Sequence, residues 1–79
     1  MPRVYLTENE RLNARIAAWV YGQLKVNRMT QSALAAERGI THQAMSKKLR
    51  VESFDVLDIA CFIRVFKPDA EEVMRLLGA

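Results

Sequence analysis

A single glycine, Gly39, divides the stretch "TQSALAAERGITHQAMSKKLR", residues 30–50, into two short helix-forming runs. This division limits the possible folds more than any other feature of the chain. Glycine enters the left-handed backbone region without the steric penalty other residues meet, so it can end one helix and turn the chain sharply. A threonine suited to capping precedes each run: Thr30 before "QSALAAER" and Thr41 before "HQAMSKKLR". The pattern predicts two short helices with a tight turn between them, together covering about residues 31–50.

The flanking sequence is helical as well. "TENE", Thr7 to Glu10, has the form of a capping box, with Thr7 capping the first amides and Glu10 reaching back. Leu12, Ile16, Trp19, Val20 and Leu24 recur at helical spacing, which predicts a first helix over about residues 8–25 with Gly22 as a weak point. Ser53 is placed to cap a helix through Phe66, and Pro68 suits the first turn of a last helix ending at Gly78. No segment alternates in steps of two, and there is no internal repeat or linker. The expected fold is therefore all-α: one five-helix domain over residues 1–79, with residues 1–6 as an N-terminal arm carrying Arg3.

The composition, 51% hydrophobic and 27% charged, supports a packed core and excludes a disordered chain. The lone cysteine, Cys61, lies in an apolar run and reads as a core residue in a reducing compartment. No run approaches the roughly 20 apolar residues of a membrane span. The first residues do not have the pattern of a secretion signal, so the cytoplasm is the expected location. One His and one Cys far apart, with no phosphate-binding glycine loop and no metal-ligand spacing, argue against an enzyme. Neither a metal, a cofactor nor a small-molecule substrate is expected.

Charge is unevenly distributed. Residues 11–50 hold eight Lys and Arg against one acid, a net +7, whereas residues 51–79 hold three against six, a net −3. Such a chain has an oriented field suited to a polyanion on one side, with the acidic part turned away.

Two short helices around a glycine turn form a helix-turn-helix, whose second helix enters the DNA major groove in proteins that read DNA. At 100° per residue, His42, Gln43, Ser46, Lys47 and Arg50 share a sector of about 140°, with Met45 and Leu49 on the other side. Gln can bond the edge of adenine and Lys or Arg that of guanine, while Thr41 and the amides beside it suit a phosphate. Lys48 adds a third positive charge to residues 41–50, which contain no acid, and with Arg50 it is expected among the DNA-binding residues.

The run "QSALAAERGITHQAMSKKL" resembles the helix-turn-helix of the lambda-repressor/Cro (Xre-type) DNA-binding domains. The match rests on Gln31, Leu34, Ala35, Gly39, Ile40, Thr41, Met45 and Ser46. With "RMTQ" before and "VLDIACFI" after, it covers roughly residues 12–66. The resemblance implies that Gln31 bonds a phosphate and that His42, Gln43, Ser46 and Lys47 read bases. It also implies a small Cro-like transcriptional repressor, of phage or mobile-element type, that binds a palindromic double-stranded operator. Two features depart from the family: Arg38 stands where an apolar residue is usual, and no glycine follows the second helix.

The segment "SFDVLDIACFIRVF" is apolar nearly all round its wheel. Leu57, Ala60 and Cys61 are expected to face the core, leaving Ile59, Phe62 and Phe66 for the last helix or for a second copy in a symmetric homodimer. The alternative reading is a protein-interaction module, such as an antirepressor or antitoxin, that uses the same helices without DNA.

Overall fold

A computed structural model describes residues 8–78 and contains five helices: α1 (Glu8–Val26), α2 (Gln31–Arg38), α3 (His42–Val51), α4 (Val56–Phe66) and α5 (Ala70–Leu77). Among the described residues there is no strand, and no helix is long and apolar enough to cross a membrane. The Thr7–Glu10 capping box and the arm with Arg3 involve positions outside the described residues.

α1 buries one stripe, Ile16, Ala17, Val20 and Leu24, at the spacing its sequence predicts. The core continues through Leu34 and Ala35 of α2, Met45 and Leu49 of α3, and Cys61 and Phe62 of α4. Phe62 sits at its centre, edge-on to Phe54 with ring centroids 5.4 Å apart and stacked near Phe66 at 6.5 Å. Trp19 meets Phe66 edge-to-face at 5.5 Å. Cys61 is buried and free, and burial pushes its thiol above the ordinary range.

Two boundaries differ from the sequence reading. α4 is capped by Asp55, not Ser53: the Asp55 carboxylate accepts from the Asp58 amide at 2.8 Å, and Asp58 accepts from the Asp55 amide at 3.0 Å. This reciprocal box satisfies two amides at once, which one serine hydroxyl cannot do. α5 is capped by Asp69, whose side chain accepts from the Glu72 amide, so Pro68 precedes the cap and does not stand in the first turn.

α5 contributes no fully buried residue. Leu76 packs against the core, and polar contacts tie the helix to α1. Trp19 Nε1 donates to the Glu72 carboxylate at 2.7 Å, Gln23 joins at 3.3 Å, and Arg15 Nε donates to the terminal carbonyl of Leu76 at 3.0 Å. The arginine satisfies a carbonyl that the end of a helix leaves open.

Candidate nucleic-acid interface

The turn between α2 and α3 is built as its glycine requires. Gly39 has φ 82° and ψ 28°, its amide donates to the Ala35 carbonyl at 2.8 Å, and the Ile40 amide donates to the same oxygen at 3.0 Å. These bonds close α2 and reverse the chain within two residues. Thr41 then starts α3, its hydroxyl oxygen accepting from the Ala44 amide at 3.1 Å. Thr30 does the same for α2 through Ala33, at 3.0 Å. Both caps fall where the sequence set them.

α3 is pinned by Met45 and Leu49, which are fully buried, and α2 packs against it through buried Leu34 and Ala35. The opposite face is open. His42, Gln43, Ser46, Lys47 and Arg50 line one shallow surface depression, with Ser46 half-buried at its floor and the others exposed. Lys47 and Arg50 make no ion pair among the described residues, so their charges remain available to a ligand. Thr41 is exposed beside this face, and Gln31, the first residue of α2, is half-buried.

Lys48 lies elsewhere. Its ammonium donates to Asp58 Oδ2 at 2.9 Å, and Arg38 Nε donates to Asp58 Oδ1 at 2.7 Å. The Asp58 side chain has no exposed surface, whereas those of Arg38 and Lys48 are 18% and 27% exposed. Asp55 stands further off, 3.7 Å from Arg38 and 3.9 Å from Lys48. One buried carboxylate thus ties α2, α3 and α4 together. Burial by itself would raise the Asp58 carboxyl, but the bonds from the Asp55 amide, Lys48 and Arg38 outweigh it and hold the group below its ordinary range. The same pairing raises Arg38.

This cluster explains the unusual Arg38: it packs by partnering a buried acid of α4. It also revises the expected charge separation, because two acids of the C-terminal part lie against the helix-turn-helix instead of facing away. Sequence reasoning missed the cluster, although a signal was present in the single aspartate within "VLDIACFI", since a charge in an apolar helix face needs a partner. The missing glycine after α3 is replaced by Glu52, which takes φ 56° and ψ 51° and donates its amide to the Lys48 carbonyl.

One of the expected dimer residues requires correction. Phe62 is 1% exposed and belongs to the core, and Ile59 and Phe66 are half-buried against it. Conversely Leu57, expected inside, is 64% exposed, and Ala60 is also exposed. The outward apolar side of α4 is formed by Val56, Leu57, Ala60 and Ile63. Ile63 and the exposed Leu77 of α5 line an apolar groove of about 120 Å³ together with Trp19, Phe62 and Leu76.

Among the described residues no group of three or more His, Cys, Asp or Glu side chains is placed to hold a metal ion. Comparison with protein-family models, curated proteins and solved structures finds no significant match to this chain.

Proposed function

We propose that the protein is a sequence-specific double-stranded DNA-binding transcriptional repressor, reading an operator with α3 in the major groove. The observation that carries this reading is the outer face of α3. Five donor and acceptor side chains, two of them positively charged and without an ion pair among the described residues, share one open surface, and Met45 and Leu49 fix the helix beneath it. Gln43 and His42 stand in its first turn, where a recognition helix meets base edges, and Lys47 and Arg50 reach guanine or phosphate from one and two turns further on. Thr41 and Gln31 sit at the two helix starts, the positions from which amides and short side chains hold phosphate. Such a protein works in the cytoplasm and represses by occupying the site.

A homodimer completes the reading, since one short helix reads few base pairs. Its interface is the apolar side of α4 and α5, centred on Leu57, Ile63 and Leu77 in place of Phe62. These three side chains are 64%, 46% and 53% exposed in the single chain, an apolar surface that a second copy would cover.

Selection of bound sequences from a random duplex pool is expected to return inverted half-sites about one DNA turn, roughly 34 Å, apart. At the selected site Gln43→Ala should cost about 1–3 kcal/mol and relax preference at one base pair, with little effect on random DNA. Equal weakening on both would remove Gln43 as a base reader. A pool with no enriched sequence would favour the protein-interaction reading, with the apolar side of α4 and α5 as its surface.

A further inference from the structure

We infer that Asp58 is a positioning residue for DNA binding: it withdraws Lys48 from the nucleic-acid surface and fixes the seat of α3, so that Lys47 and Lys48 play opposite parts. This rests on the DNA-binding reading and adds to it an assignment that adjacent lysines in the sequence do not suggest.

The geometry separates the two lysines. Successive residues on a helix are turned by 100°, so the Lys48 side chain leaves α3 at the edge that meets α4, while Lys47 leaves it on the open face. Lys48 ends 2.9 Å from a carboxylate oxygen with no exposed surface. That oxygen also accepts the Asp55 amide, and its twin accepts Arg38 from α2. Every strong donor around Asp58 therefore comes from a different part of the turn-and-helix unit: the end of α2, the last turn of α3 and the cap of α4. A lysine that bonds a phosphate must give up this bond and leave a buried carboxylate short of a donor, an exchange that disfavours phosphate contact. The three-way tie also sets how far α3 stands from α4, and so the angle at which His42 and Gln43 are presented.

The test is the salt dependence of binding to a random duplex, measured by fluorescence anisotropy on variants checked for helicity. Each neutralised phosphate contributes about 0.9 to the log–log slope. Lys47→Met is expected to reduce the slope by about 0.9, and Lys48→Met to leave it unchanged. Asp58→Asn frees Lys48 and is expected to steepen the slope by about 0.9, while narrowing the ratio of selected-site to random affinity. A purely structural role would weaken both affinities without steepening the slope. The inference is overturned if Lys48→Met flattens the slope as Lys47→Met does, a result that does not require the Asp58 variant to fold. It is equally overturned if folded Asp58→Asn keeps the wild-type slope. Failure of the unaltered protein to bind any duplex would instead remove the DNA reading itself, and this inference with it.

Discussion

The outer face of α3 and the outer side of α4 both point to solvent, yet they are built on opposite terms. α3 separates its residues cleanly, with Met45 and Leu49 buried and the polar residues outward, so its wheel is readable directly from the sequence. α4 carries apolar residues on both sides, and no wheel of hydrophobicity alone can say which side is inner. The deciding residue is a charge. Asp58 is buried with Cys61 and Phe62, and this turns Val56, Leu57, Ala60 and Ile63 outward. Placing Asp58 at the surface, as a lone aspartate suggests, rotates the helix and exchanges the faces. A buried ion cluster can therefore orient a helix against the simplest hydrophobic reading, provided that each lone pair finds a donor.

The strongest way to break this comparison is to truncate one apolar residue from each side of α4. Phe62→Ala should destabilise the fold by about 3–5 kcal/mol in urea unfolding. Ile63→Ala should cost the monomer well under half of that and should weaken self-association in sedimentation equilibrium. Equal losses of stability would mean that the two sides of α4 have been assigned wrongly.

Asp58→Ala comes next, at about 3 kcal/mol, the low end for breaking a buried pair because Arg38 and Lys48 both reach water once released. Acid should act on the same group. Its folded pKa is depressed, so its stabilisation is complete above the ordinary carboxyl value of 3.8 and is lost as pH falls below that toward the folded pKa. Melting temperature followed from neutral pH into this acid range should fall more steeply for the unaltered protein than for Asp58→Asn. Parallel curves would show that Asp58 does not carry the acid response.

The smallest effects concern two glycines that differ only in backbone. A Cβ at either Gly22 or Gly39 would have no neighbour within 4 Å among the atoms that can hinder it, but only Gly39 has a positive φ, +82°. Gly39→Ala should therefore destabilise by about 1 kcal/mol, the penalty for a side chain in the left-handed region. Gly22→Ala, inside α1, should stabilise by about 0.5–1 kcal/mol. Thermal unfolding of the pair checks both signs, and a loss at Gly22 would indicate a packing role that its open surroundings do not suggest.

These contrasts mark how far the sequence could be read. The five helices, the turn at Gly39, the caps Thr30 and Thr41, and the polar outer face of α3 are local features set by spacing and by residue chemistry within one turn. They are legible for that reason. The cap at Asp55 is also local, a box closed three residues on, although Ser53 reads as the cap from sequence alone. The fate of Lys48 and the orientation of α4 instead depend on residues 10 to 20 positions apart meeting around one carboxylate. Helical periodicity does not encode that meeting. Only the oddity of Arg38 and Asp58, each charged where packing favours an apolar residue, signalled it.

The most direct measurement is anisotropy of the unaltered protein with a labelled random duplex at low salt, repeated as salt is raised. If the outer face of α3 is a nucleic-acid surface, the protein binds and its affinity falls along a linear log–log plot, with a slope of about −0.9 for each phosphate engaged. Absence of binding at low salt, or affinity that salt does not change, would contradict it.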